Sequence, residues 1–271
     1  MDLIADDVKY ASGGAEIDAY FIRPDNGARN PSLILVHEIF GLNDHIRDVA
    51  RRFANEGYAV IAPDLYSRPG SPSSSGIAKV MKFMFSIPPA KQRDAEFVQQ
   101  EMAKLPEEER KAVSEVWNWM TNRDYSNNVK DLRSAFGWLS SQDSVDKERI
   151  GCLGFCMGGT LTGRLASSGE DLKAAVIFYG ENPPATLVKD IKCQVMGLYG
   201  GEDHRITDRV PELEEEMAKA GKLFVHHVYP GAHHAFFNDT GRNYDGEAAR
   251  DAWIRCLGFL SGTLKEPTRQ R

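Results

Sequence analysis

The sequence feature that most constrains the fold is residues 150–159, an apolar run that ends in G-F-C-M-G at 154–158. Small residues at helical spacing follow it. The pattern matches a G-x-S-x-G elbow between a strand and a helix, with Cys156 in the serine position. Glycines on both sides avoid a collision across the sharp, strained turn. We therefore predict a nucleophilic cysteine at a helix N-terminus, where the helix dipole favours the thiolate.

The remaining pattern predicts a doubly wound, mainly parallel sheet. Short continuous apolar runs are typical of strands buried on both faces, and here they alternate with amphipathic helices. Predicted strands lie at 15–23 (an edge strand), 32–37, 58–62, 146–153, 173–180, 193–200 and 224–229. Predicted helices lie at 45–56, 128–140, 207–220 and 246–262. We expect an α/β fold in a single domain over residues 1–271.

A segment at about 67–125 interrupts this alternation. It begins with a loop rich in serine, proline and glycine, and helices are predicted at 77–86, 91–104 and 107–121. We interpret the segment as a helical insertion between strands of the sheet. Its apolar residues form either the inner face of a lid or ordinary packing on the domain.

Charge and cysteine usage exclude several classes of function. The 271 residues have a net charge of −6, which disfavours binding to nucleic acid and to anionic membranes. The sequence predicts neither a signal peptide nor a membrane span. The four cysteines (Cys152, Cys156, Cys193 and Cys256) lack metal-binding spacing and indicate reduced thiols. We expect a cytoplasmic protein that requires no metal or cofactor.

Four residues suited to catalysis follow predicted strands: Glu38, Cys156, Asp203 and His234. In open α/β sheets, functional groups gather beyond the carboxyl ends of the strands. The last three appear in the chain order nucleophile, acid, histidine, which is the order of α/β-hydrolases. Two strand–helix steps separate the cysteine from the acid, and one more leads to the histidine. The sequence thus predicts a catalytic triad.

Each member of the predicted triad has a defined task. Cys156 attacks the substrate, and His234 pairs with its thiolate and protonates the leaving group. Asp203 fixes the imidazole tautomer. The backbone N–H groups of Met157 and Ile39 are predicted to form the oxyanion hole.

Structural interpretations compete with these roles. Cys156 could be a buried thiol, and Asp203 could only cap the following helix. His233 competes with its neighbour His234 for the histidine role. Glu38 could simply pair with an arginine. His226 and His227 lie within a predicted strand and are interpreted as structural.

Four separated motifs resemble those of the dienelactone hydrolases, also called carboxymethylenebutenolidases. They are V-H-E-I-F-G-L at 36–42, A-P-D-L-Y at 62–66, G-F-C-M-G-G at 154–159 and G-A-H-H-A-F at 231–236. The likeness covers about 15–65 and 125–260. It implies an α/β-hydrolase fold, a Cys-His-Asp triad and His234 as its histidine. It also implies that Glu38 contacts the nucleophile region and helps to form the thiolate when substrate binds.

The resemblance further implies hydrolysis of an enol-lactone to a keto acid during breakdown of chlorinated aromatics. The founding enzymes clamp a substrate carboxylate with two arginines, one of them four residues after the triad histidine. Here that position is Asn238, and Arg242 lies nearby but outside the motif. His233 stands where the family usually has glycine. Candidate substrate contacts are Arg68, Arg93, Phe40 and Asn238.

Three hypotheses about function follow. The first is a cysteine hydrolase that cleaves small esters or lactones through an acyl-enzyme on Cys156. The second keeps the triad in a broad-specificity carboxylesterase or thioesterase, which Asn238 in place of arginine favours. The third is a non-catalytic α/β scaffold for binding. The expected partner is a small ester or lactone, and neither nucleic acid nor membrane is expected.

Overall fold

The computed structural model describes residues 2–92, 94–122 and 124–265. The chain forms two compact units. The main unit comprises Met1–Leu65 and Ser126–Arg271, and the helical unit comprises Tyr66–Tyr125. The helical unit coincides within one residue with the predicted insertion.

The main unit is built on one eight-stranded sheet. Its strands are β1 (Leu3–Ser12), β2 (Ala15–Pro24), β3 (Asn30–Val36), β4 (Ala59–Pro63), β5 (Val145–Phe155), β6 (Ala174–Phe178), β7 (Gln194–Gly200) and β8 (Phe224–Tyr229). Their spatial order is β1-β2-β4-β3-β5-β6-β7-β8. The strands β4, β3, β5, β6, β7 and β8 are parallel, whereas β1 and β2 join the sheet antiparallel. The predicted mainly parallel sheet is confirmed.

The edge of the sheet differs from the prediction. The strand predicted at the edge, β2, lies between β1 and β4, and the true edge strand β1 was not predicted. In β1 only Tyr10 and Ser12 are buried, so its sequence lacks a clear apolar period. Pairing along its whole length with β2, from Leu3 opposite Pro24 to Ser12 opposite Ala15, holds it in place. Long-range pairing here outweighs a weak local pattern.

Helices cover both faces of the main sheet. They are α1 (Asp44–Asn55), α5 (Ser126–Ser140), α6 (Met157–Ala166), α7 (His204–Thr207), α8 (Val210–Lys219) and α9 (Gly246–Leu260). The core between α1, α9 and the sheet is apolar, and fully buried aromatic rings such as Phe53, Phe155 and Phe178 fill it. Asn43 caps α1, accepting a hydrogen bond from the N–H of Ile46.

The helical unit contains α2 (Ser74–Ser86), α3 (Ala95–Ala103) and α4 (Glu107–Thr121). Ser73 and Asp94 cap α2 and α3 with their side chains. Val80, Val98 and Val113 are buried in this unit. In the described residues, no helix is long and apolar enough to span a membrane.

Candidate active site

Cys156 lies at the predicted elbow between β5 and α6. Its backbone has φ 56° and ψ −116°, a conformation that a residue with a side chain rarely adopts. Its N–H donates to the carbonyl of Phe178 at the end of β6 (3.0 Å), which fixes the turn against the neighbouring strand. Strain of this kind persists only where the surrounding structure enforces it, and it is frequent at active sites.

The glycines of the elbow permit close backbone packing. A Cβ on Gly154 would overlap the backbone of Gly158, so the turn itself excludes a side chain there. A Cβ on Gly158 would overlap the carbonyl oxygens of Val36 and His37. The first turn of α6 therefore packs directly on the carboxyl end of β3, which brings the loop that contains Ile39 beside the elbow.

Asp203 and His234 are in direct contact. The Nδ1 of His234 lies 2.5 Å from Oδ2 of Asp203. Asp203 stands at the N-terminus of α7, but its side chain makes no capping hydrogen bond. The alternative that this residue only caps a helix is therefore wrong. His233 is exposed, whereas His234 is partly buried against Asp203, so the sequence ambiguity between the two histidines is resolved.

His234 also interacts electrostatically with Cys156. Because Nδ1 faces the aspartate, Nε2 is the ring nitrogen that faces the thiol. Burial favours the neutral imidazole, but the interactions with Cys156 and Asp203 outweigh it and raise the pKa of His234 to about 10. The structure thus brings the three predicted triad residues together, with His234 hydrogen bonded to Asp203 and interacting with Cys156.

Glu38 occupies a buried position beside this chain and is only 3% exposed. Its Oε1 accepts from the hydroxyl of Tyr179 (3.2 Å), and its Oε2 accepts from Nδ2 of Asn238 (2.5 Å). Burial raises the pKa of Glu38, and this effect is opposed by the hydrogen bonds and by the nearby His45 and His234. Its two hydrogen-bond donors are neutral, so the alternative of an arginine pair is wrong among the described residues.

The remaining predicted site residues have the following places. Ile39 is buried in the loop after β3, and Phe40 next to it is 37% exposed. Met157 is the first residue of α6. Arg68 lies in the helical unit, and Arg93 lies outside the described residues. Their contributions to substrate binding and to the oxyanion hole stay predictions.

Asn238 lies in a place that its predicted role did not anticipate. It is buried, its Nδ2 donates to Glu38, and its Oδ1 accepts from the backbone N–H and the hydroxyl of Thr240. The carboxamide is therefore oriented by Thr240 to present its N–H group to Glu38. This geometry indicates support of a carboxylate inside the protein rather than contact with a substrate carboxylate.

Tyr179 is a residue of the site that the sequence did not predict. It is completely buried, has φ 39°, and packs its ring edge-on against His234 with the centroids 5.2 Å apart. Burial and the neighbouring Glu38 and Cys156 raise the pKa of its hydroxyl, which therefore stays a hydrogen-bond donor. Its position directly after β6 was a usable signal, because that is where functional groups gather in such sheets.

A second aspartate–histidine pair lies close to Asn238. Oδ1 of Asp239 lies 3.1 Å from Nδ1 of the buried His45, and Oδ2 of Asp239 accepts from Arg52 (2.6 Å). Both partners of Asp239 belong to α1. This pair therefore ties the segment after His234 to the helix that follows the Glu38 loop.

The other cysteines are unsuited to the same chemistry. Burial raises the pKa of the Cys152 and Cys193 thiols to about 12, and Cys256 is completely buried. All four cysteines are free. In residues 2–92, 94–122 and 124–265, no group of three His, Cys, Asp or Glu side chains is arranged to hold a metal ion.

Comparison with known proteins defines the class first. The chain has the α/β-hydrolase fold, in which a mainly parallel eight-stranded sheet presents a nucleophile elbow. The structure of a dienelactone hydrolase-like promiscuous phosphotriesterase, P91, from metagenomic libraries superposes with a TM-score of 0.74 at 20% identity, covering 97% of this chain and 99% of that one. At this identity the likeness concerns the fold alone.

Three further findings define the family. The family model for the dienelactone hydrolase family matches residues 17–264. A protein of Saccharolobus solfataricus named as a candidate carboxymethylenebutenolidase is 41% identical over 96% of this chain and 99% of its own length. A structure described as a candidate dienelactone hydrolase from Klebsiella pneumoniae is 30% identical, with a TM-score of 0.70 and coverage of 96% and 99%. The chain belongs to the dienelactone hydrolase family, and the resemblance in the sequence is confirmed.

Proposed function

We propose that the protein hydrolyses small carboxylic esters or lactones through an acyl-enzyme on Cys156. The observation on which this rests is the position of His234, which is hydrogen bonded to Asp203, interacts with Cys156 and has a pKa of about 10. At neutral pH His234 is therefore an imidazolium, the form that pairs with a thiolate nucleophile. The names of the relatives support the same class of substrate.

Acylation begins when the thiolate of Cys156 attacks the carbonyl carbon. The carbonyl electron pair moves onto oxygen, where the N–H groups of Ile39 and Met157 would stabilise the negative charge. When the intermediate collapses, the C–O bond to the leaving group breaks, and His234 donates its proton to the departing oxygen. An ester releases an alcohol, whereas a lactone opens and keeps its new hydroxyl tethered to the acyl group.

Deacylation uses the histidine that is now neutral. It takes a proton from water while the water oxygen attacks the thioester carbon, and the carbon–sulfur bond then breaks to release the carboxylic acid and the thiolate. Asp203 holds the ring so that Nε2 faces the thiol throughout. Glu38 lies close enough to His234 for the charge of the ring to lower its pKa, so the ionised form of Glu38 would in turn favour the imidazolium.

The test is trapping of the acyl group. The wild-type protein mixed with p-nitrophenyl acetate and quenched in acid is expected to gain one acetyl group on the peptide that contains Cys156. Cys156→Ala is expected to lose both the adduct and the turnover. Cys193→Ala is the matched control, because it removes a buried thiol away from the site and is expected to keep both. Turnover retained by Cys156→Ala would refute the mechanism.

A broad-specificity carboxylesterase or thioesterase with the same triad is the second candidate function. The observation that favours it is Asn238, which presents a neutral amide to Glu38 at the position where the founding enzymes have an arginine. Comparing kcat/KM for an anionic dienelactone with that for neutral aryl esters decides between the two. Strong preference for the anionic lactone would reject the broad esterase.

A further inference from the structure

His37 is completely buried between the loops that follow β3 and β4. Its Nδ1 lies 2.5 Å from the carbonyl oxygen of Glu38, and its Nε2 lies 3.2 Å from the backbone nitrogen of Leu65. The carbonyl of Glu38 can only accept a hydrogen bond, and the backbone N–H of Leu65 can only donate one. His37 is therefore the neutral tautomer that carries its hydrogen on Nδ1.

Burial acts in the same direction, since it lowers the pKa of His37 and favours the uncharged ring. The ring is thus a fixed connector: it donates to the carbonyl of Glu38 and accepts from the loop after β4. The N–H of Gly41 also donates to the carbonyl of Glu38, over 3.2 Å. Two donors hold this one carbonyl in a single direction.

The orientation of that carbonyl determines the orientation of the next N–H. The peptide group between Glu38 and Ile39 is planar and trans, so its carbonyl and its N–H point to opposite sides. A carbonyl held toward His37 and Gly41 requires the N–H of Ile39 to point away from them. The elbow lies close by, because Gly158 packs against the carbonyl oxygens of Val36 and His37.

We propose that His37 is a positioning residue for the oxyanion hole: through Nδ1 it holds the Glu38–Ile39 peptide so that the Ile39 N–H faces the acyl oxygen. This inference rests on the proposed acyl-enzyme function. Because oxyanion stabilisation requires donors fixed before the reaction, loosening this peptide slows acylation without altering the triad. His37 itself touches neither the substrate nor the reacting atoms.

Two substitutions separate the two ring nitrogens. His37→Asn places an amide N–H near the position of Nδ1 and keeps the bond to Glu38, while it loses the bond to Leu65. His37→Gln places an amide oxygen near Nε2 and keeps the bond from Leu65, while it loses the bond to Glu38. Each variant loses one buried hydrogen bond, so the two substitutions are expected to reduce the stability of the protein to a similar extent.

The measurement compares two reactions of Cys156. Acetylation by p-nitrophenyl acetate, followed as the burst rate, develops an oxyanion, whereas alkylation by iodoacetamide does not. His37→Gln is expected to slow the burst about tenfold to a hundredfold, at or below the 10²- to 10³-fold cost of losing an oxyanion-hole donor outright, because the donor is loosened and not removed, and to leave alkylation unchanged. His37→Asn is expected to keep both rates near those of the wild type.

Other outcomes overturn the proposal. Equal burst rates in the two variants, or equal slowing of acetylation and alkylation, would show a merely structural role. If His37→Gln does not fold, the nitrogen-15 shifts of His37 in the wild type decide instead, because a hydrogen on Nε2 contradicts the proposal and one on Nδ1 supports it. If the proposed acyl-enzyme function itself is wrong, wild-type Cys156 forms no acetyl adduct at all, and this result distinguishes that failure from failure of the His37 proposal.

Discussion

The loops after β7 and β3 each present a carboxylate at the same edge of the sheet, and the surroundings of the two carboxylates differ. Asp203 is 9% exposed and contacts the ring nitrogen of His234, which is positively charged at neutral pH. Glu38 is 3% exposed and contacts the neutral donors Tyr179 and Asn238. Both carboxylates follow the carboxyl end of a parallel strand, but the partner of Asp203 is charged whereas the partners of Glu38 are neutral.

This difference assigns different tasks to the two loops. A carboxylate paired with an imidazolium orients the ring and stabilises its charge directly. Burial raises the pKa of the Glu38 carboxyl, and its neutral hydrogen-bond donors offset this only in part. The charge of Glu38 therefore depends on pH and on small changes nearby. We therefore expect substitutions at Asp203 to affect catalysis strongly, and substitutions around Glu38 to affect it less while changing the pH dependence of stability.

The largest effect is expected for Asp203→Asn. The amide can hold the ring in the tautomer with hydrogen on Nε2, which cannot accept a proton, and the loss of the carboxylate lowers the pKa of His234 from about 10. We expect kcat to fall about 10³- to 10⁴-fold, as for the equivalent change in other triads. Steady-state kinetics with a neutral aryl ester measures this.

The same loop region offers a matched control. Oδ1 of Asp208 lies 3.3 Å from Nδ1 of His204 in an exposed aspartate–histidine pair. Asp208→Asn makes the same chemical change outside the site and is expected to leave kcat near the wild-type value. If both variants lost activity to a similar extent, the effect would reflect general charge or folding, and the assignment of Asp203 to the triad would be rejected.

The sequence predicted the central sheet well, because strands buried on both faces need continuous apolar runs. All seven residues of β3 are buried, for example, as its run predicted. Predictions were wrong where local patterns compete with other constraints. The helix expected at about 207–220 is α8, but it begins at Val210 and is preceded by the short helix α7; Pro211 lies in its first turn, where its missing N–H costs no hydrogen bond within the helix.

The predicted triad depended on chain order and on the rule that functional groups follow strands, and the structure brings the three residues together. The partners of Glu38 could not be predicted in this way. Tyr179 lies 141 residues and Asn238 lies 200 residues from Glu38 in sequence. Which donor faces a buried carboxylate depends on side-chain orientation across three loops, and residue spacing does not contain that information.

Glu38→Gln is expected to have a smaller effect on catalysis than Asp203→Asn. It is also expected to raise the stability of the protein at higher pH. The amide can keep both hydrogen bonds, accepting from Asn238 and donating to the hydroxyl of Tyr179. Because a pKa of about 10 leaves His234 protonated at neutral pH even after a modest fall, the loss of the negative charge beside it is expected to reduce kcat by less than about tenfold there and to move the alkaline limb of the kcat profile to lower pH. Glu202→Gln, an exposed change in the loop that contains Asp203, is the control and is expected to have little effect.

The sign of the stability change follows from the raised pKa of Glu38. Between the unfolded pKa and the higher native pKa, the native state binds more protons, so the native protein loses stability as pH rises through this window. Below about pH 4 the carboxyl is protonated in both states, and Glu38→Gln is expected to match the wild type. At higher pH the variant is expected to be more stable in urea unfolding. A variant less stable at every pH would contradict the raised pKa.

The smallest effect is expected for Tyr179→Phe, which tests how the two neutral donors share the Glu38 carboxylate. The hydrogen bond from Asn238 lowers the pKa of Glu38 more than the one from Tyr179 does. Tyr179→Phe keeps the ring against His234 and removes one hydrogen bond, which costs about 1 kcal/mol of unfolding free energy. It is expected to raise the pKa of Glu38 less than Asn238→Ala does, as measured by carbon-13 NMR of the carboxyl group. A larger rise in the tyrosine variant would reverse the roles assigned to these donors, and it would make the hydroxyl of Tyr179, rather than the amide of Asn238, the main control of the charge on Glu38.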